Sequence, residues 1–157
     1  MYRLAKSDRH LHLGILLSKK MAFRRVQGKT KFMSFPVTVS TALSNNSLVE
    51  LTSGQIAAAD DDETQIVGVL RHAIASTDAD YATAREVEVE VPVEKHVVWE
   101  ADATDATFVL TDIGTEFGIS SSLLVDRTDT TNDVFFMTGF VSSSVIRGWI
   151  KFNQGLY

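Results

Sequence analysis

The clearest pattern in the chain is the run Glu86-Val87-Glu88-Val89-Glu90-Val91-Pro92-Val93. Valine and glutamate alternate, so the valines share one face and the glutamates the other. That is the period-two signature of a strand with one buried side. Pro92 has no N–H to give a ladder and marks a strand end or an edge. The row Glu86, Glu88 and Glu90 reads as a solvated outer face rather than as paired carboxylates for acid–base work. Other short apolar runs predict strands within 36–40, 47–52, 65–75, 96–100, 107–110, 122–125, 133–137, 139–146 and 148–152. Clusters of Asn, Asp, Ser, Thr and Gly separate them as turns. No segment keeps a helical period, and only 76–86 suggests a short helix, capped by Thr77 or Asp78. About nine short strands with regular turns predict an all-β fold, a small barrel or sandwich.

Composition adds little until it is divided along the chain. The 157 residues are 45% hydrophobic and 22% charged, which suits one folded domain with a real core. There is no cysteine, so disulfides and thiolate zinc sites are excluded. The net charge of −5 hides a split: residues 1–34 carry nine basic side chains and one acid, residues 35–157 six basic and nineteen acidic. This predicts a basic N-terminal arm, 1–34, and an acidic β-rich domain, 35–157. The apolar stretch 11–18 is too short to span a bilayer, and no membrane partner is expected. The acidic domain repels phosphate backbones, so nucleic acid ranks last among the arm's partners.

The arm interleaves Phe23, Val26, Phe32, Met33 and Phe35 with Arg24, Arg25, Lys29 and Lys31. Such a segment suits an extended strand that docks on a protein partner and pegs its aromatic rings into pockets. The alternatives are a frayed terminus and a single-strand nucleic-acid contact. Phe23, Arg24, Arg25, Lys29, Lys31, Phe32 and Phe35 are the candidate partner-binding residues.

No constellation announces a reaction. Asp60–Glu63 and 126–133 are rich in oxygen ligands but lack the spacing of a calcium loop, so turns that cap their own backbone are expected. His10 and His12 have no further metal ligands nearby in sequence. His72 and His96 lie in predicted strands, and no nucleophile elbow accompanies them. Gly114 and Gly118 suit a turn better than a phosphate cradle. Trp99 and Trp149 suit a core or an interface, or a platform for a glycan. No enzyme, cofactor or metal is expected.

From about residue 33 onward the order of these segments resembles tailed-bacteriophage head decoration (cement) proteins. The stretches that carry it are VTVSTALSNNSLVELTSGQIAAADDDETQIVGVLRHAIAS, YATAREVEVEVPVEKHVVWEADA and TDIGTEFGISSSLLVDRTDTTNDVFFMTGFVSSSVIRGWIKFN. The resemblance implies a β-barrel or β-tulip body, a homotrimer on the capsid exterior, and an N-terminal arm gripping the major capsid protein. Residues 1–20 match nothing in that pattern, and Met21 is a second candidate start of translation.

Overall fold

The computed structural model describes residues 22–61, 65–105, 107–131 and 133–152. These residues are all-β apart from one 3₁₀ turn at Leu110–Asp112. The strands are β1 (Arg24–Gln27), β2 (Thr30–Val37), β3 (Leu48–Thr52), β4 (Gln55–Ala58), β5 (Ile66–Leu70), β6 (Arg85–Pro92), β7 (Val98–Ala103), β8 (Glu116–Ser121), β9 (Leu124–Asp126), β10 (Phe135–Ser142) and β11 (Val145–Ile150). Five of them close into a small barrel in the order β2-β4-β3-β5-β6. The others form a sheet in the order β1-β7-β11-β10-β8-β9, and β9 pairs back onto β7 through Asp102↔Leu124 and Ala103↔Val125. That last pairing closes a second circuit, with β1 added on its outside.

The two circuits have separate cores that share a wall. In β5, Val67 and Leu70 enter the small-barrel core with Val49, Ile56, Val89 and Val91. Ile66 and Val69 enter the other core, with Trp99, Phe108 and Phe135. Ile66 and Val69 are three apart yet face the same way, because the β3–β5 register slips between Val49↔Gly68 and Glu50↔Ile66. In β3, Leu48 joins one core and Val49 the other. A strand apolar on both faces shows no alternation, which is why 65–75 reads only as a continuous apolar run.

The expected division into an arm, 1–34, and a domain, 35–157, is corrected over its described part. Residues 22–34 belong to the body. β1 pairs with β7, and β2 pairs with β6 along its whole length, from Thr30↔Pro92 to Val37↔Arg85. The physical reason is burial: Phe23 is fully buried 6.4 Å from the Phe135 ring, and Phe35 and Val37 point into the small barrel. The turn between β1 and β2 requires Gly28, whose φ is +102° and whose missing Cβ would lie 2.7 Å from Glu94 Oε1. Residues 1–21, with His10 and His12, lie outside the described residues.

Four other expectations change. The predicted strand at 107–110 is replaced by the 3₁₀ turn, where the Val109 N–H donates to Asp112 Oδ2 at 2.9 Å. The predicted helix at 76–86 is a chain of turns: the Ala75 N–H donates to Asp78 Oδ2, and Tyr81 and Thr83 N–H groups reach back three residues. β4 was hidden by its alanines, but Ser53 and Gly54, with φ of 52° and 81°, make the tight hairpin that pairs Thr52 with Gln55. β8 was read as turn because of Gly118; a Cβ there would strike the Asp129 carboxylate, which folds over the strand.

Phe23 separates the two descriptions of the N-terminal segment. Phe23→Ala should cost about 3–5 kcal/mol in urea unfolding, whereas Phe32→Ala, at a position 57% exposed, should cost well under about 1 kcal/mol. Equal, small effects would return the segment to the status of an arm.

Candidate docking surface and binding cleft

The outer-face pattern of β6 fails at one residue. Glu86 and Glu88 are exposed, but Glu90 is 3% exposed. Its Oε1 accepts from Thr30 Oγ1 at 2.6 Å and pairs with Arg25 Nε at 2.7 Å; its Oε2 pairs with Arg71 Nε at 2.5 Å. Arg71 also donates to the Phe23 carbonyl at 3.1 Å and to Asn46 Oδ1, and its guanidinium sits 5.5 Å from the Trp99 ring centroid. Burial pushes the Glu90 carboxyl up, but the hydrogen bonds from Thr30, Arg71 and Arg25 and the Arg71 charge outweigh it and hold it below the usual 4.5. The cluster therefore ties β1, β2 and the end of β5 to β6.

This cluster decides what the candidate arm residues do. Phe23 and Phe35 are buried in the chain's own cores and are not presented to a partner. Arg24 pairs with Glu100 at 2.5 Å, and Arg147 holds the other oxygen of that carboxylate. Arg25 is held by Glu90. Lys29 is exposed, with its backbone N–H on Glu94 Oε1 at 2.7 Å. Lys31 and Phe32 are exposed on β2. Of the seven candidates, Phe23 and Phe35 are buried, Arg24 and Arg25 are exposed but held by carboxylates of the body, and Lys29, Lys31 and Phe32 are exposed.

Two surface features escaped sequence reading. The first is an apolar patch. Residues 108–114 run beside β10, tied by the Phe108 N–H to the Ser143 carbonyl and the Gly114 N–H to the Met137 carbonyl. Along this contact Val109, Leu110, Ile113, Phe140 and Val141 are all exposed, Leu110 by 66%. Val109, Leu110, Phe140 and Val141 fall within predicted strands and Ile113 within a predicted turn, so the sequence does not bring them together.

The second is a cleft of about 700 Å³ between the 92–96 loop and the outer face of the second circuit. The cross-strand partners Glu116, Phe136 and Trp149 lie along its floor. Trp149 stacks on Phe136 at 4.9 Å and on His96 at 4.1 Å. Lys151 pairs with Glu116 at 2.8 Å, and its charge and hydrogen bond lower the Glu116 carboxyl below its usual value. Trp99, the other candidate platform, is fully buried. His72 is exposed and outside any strand, and His96 lies in the loop before β7.

No protein-family model and no curated protein matches the chain in sequence. Among the described residues no three His, Asp or Glu side chains gather as a metal site requires, and no helix is long and apolar enough to cross a membrane. The 126–131 loop caps itself, as its sequence suggests: Asp126 Oδ1 accepts from Thr128, and Asp129 Oδ1 from Thr131, each through backbone N–H and hydroxyl.

The Glu90 cluster carries a pH dependence. Because folding lowers this carboxyl, its stabilisation is complete above the unfolded value near 4.5 and is lost as pH falls below it through the folded value. Glu90→Gln should be less stable at neutral pH and should lose stability less steeply on acidification, measured by urea unfolding at a series of pH values. Parallel curves for the two proteins would show that Glu90 titrates alike in both states.

Proposed function

We propose that this chain is a structural virion protein, a decoration protein that seats on the outer surface of a tailed-phage capsid and stabilises the expanded shell. It acts by binding, as a homotrimer, and carries out no reaction. The resemblance over residues 33–157 supports the capsid part, and the all-β body with a barrel is consistent with it. The single observation that carries docking is the exposed apolar patch of Val109, Leu110, Ile113, Phe140 and Val141. Apolar side chains left exposed along two segments that run side by side, as here, are what protein–protein contacts bury.

A protein that binds only the expanded lattice lowers that state's free energy by mass action. Many modest, symmetric contacts then sum over the shell. On the N-terminal side Lys29, Lys31 and Phe32 are exposed on the body, while the basic residues Arg3, Lys6, Arg9, Lys19 and Lys20 lie outside the described residues. The second reading is a β-barrel binding module for glycan or protein without a capsid role, and the cleft at Trp149 is the observation that favours it.

Leu110→Asp combined with Phe140→Ser should weaken co-sedimentation with expanded capsids at least about tenfold, since each central apolar contact in an interface is worth more than about 1 kcal/mol. The variant should stay folded at the assay temperature, with circular dichroism as the check, since Leu110 is 66% and Phe140 37% exposed. Light scattering of the wild type should give the mass of three chains. Undiminished capsid binding by the double variant would remove the patch from docking, and no binding by wild type would remove the capsid reading.

A further inference from the structure

We infer that the cleft beside Trp149 is a saccharide-binding site. The inference deepens the binding-module reading of this cleft by naming its ligand class, and because it uses different residues from the docking patch, its failure would leave the capsid reading untouched. The cleft forms where the chain leaves the small barrel at Pro92 and crosses to β7, so the 92–96 loop makes a wall over the sheet's outer face. Its volume of about 700 Å³ lies within the roughly 300–1,000 Å³ usual for small-ligand sites.

The chemistry of the lining selects the ligand class. Phe136 reaches Trp149 from β10, and His96 reaches it from the β7 side, so three rings form one stacked column. Trp149, stacked between the other two, has its faces covered, so the column offers the cleft ring edges and the outer faces of His96 and Phe136. These make a rigid apolar surface at little entropic cost, on which the C–H face of a pyranose can rest. At its β8 end the Glu116 carboxylate and the Lys151 ammonium stand 2.8 Å apart. One accepts and the other donates, the pair of functions that adjacent sugar hydroxyls require. Lys95 and Glu94 supply a second donor and acceptor on the loop wall.

Charge argues against the rivals. Two lysines and two glutamates line the cleft, so it carries no excess for a phosphate-bearing or polycationic ligand. A nucleotide would find rings to stack on, but its phosphates would meet a body with nineteen acids between residues 35 and 157. A neutral, ring-shaped molecule with hydroxyls at its rim meets every wall.

The test uses the intact chain on an array of neutral and acidic oligosaccharides. Maltotriose, chitotriose and mannotriose are titrated in solution and followed by tryptophan emission. Trp99 is fully buried while Trp149 lies in the cleft, so a change in emission reports the cleft. At least one oligosaccharide class should bind and shift the emission. His96→Ala and Glu116→Gln should each weaken it about tenfold or more without moving the unfolding midpoint, since both sites are solvent-accessible. Arg24→Ala, outside the cleft lining, should leave it unchanged. Three outcomes would overturn the proposal: no saccharide bound by folded protein, binding indifferent to the His96 and Glu116 variants, or binding confined to sulfated or phosphorylated sugars with a steep salt dependence.

Discussion

A carboxylate buried in a protein has to be surrounded by donors, because removing one partner strands a charge at a cost of about 3–5 kcal/mol. Glu90 imposes that condition on this fold. Its donors come from β1, from β2 and from the residue after β5: Arg25 and Thr30 flank one tight turn, and Arg71 comes from far along the chain. Losing any one of them leaves the buried carboxylate with fewer donors than its two oxygens now have. Arg71 extends the condition to the Phe23 carbonyl and to the Trp99 ring, so the small barrel and the second circuit meet around one guanidinium. Glu100, with Arg24 and Arg147, repeats the device on the surface, where screening by water makes it worth less.

The charge split along the chain therefore has an internal meaning. A basic segment followed by an acidic domain looks like a device for binding something else. In the folded protein, part of that complementarity is satisfied within one molecule: Arg24 and Arg25 answer Glu100 and Glu90. The functional surface then has to be sought in what the fold leaves uncovered. Among the described residues two places qualify, and they differ in kind. The strip of Val109, Leu110, Ile113, Phe140 and Val141 is apolar and exposed, with the Arg127–Asp112 ion pair beside it, as in an interface with an apolar centre and a polar rim. The cleft at Trp149 mixes rings with paired charges, as a small-ligand site requires. A shell protein that docks by one surface and presents another is consistent with both.

The sequence made the all-β class legible because period two is a local property. It is plain in β6, where the alternation and Pro92 mark the strand and its end at Pro92. It was silent on β4 and β8, whose alanines and glycine carry no β preference of their own. It misplaced Glu90 because alternation reports a face and not what covers that face; the covering residues, Arg25, Thr30 and Arg71, come from elsewhere in the chain. It misread Phe23 and Phe35 for the same reason: an aromatic residue among cations looks alike whether its pocket lies in a partner or in its own core. Trp149 was legible as a candidate, with Lys151 two residues on, but Phe136 and Glu116 join it only through strand pairing.

Hydrogen exchange on the free, full-length protein tests the central claim most directly, namely that residues 23–37 are a structural strap held by Glu90 and not an arm awaiting a partner. The account predicts that amides of β2 donated to β6 exchange as slowly as those of β6 itself, close to the limit set by global unfolding. Exchange of that segment within seconds, while β6 and β7 stay protected, would contradict it and make the N-terminal segment a docking arm after all.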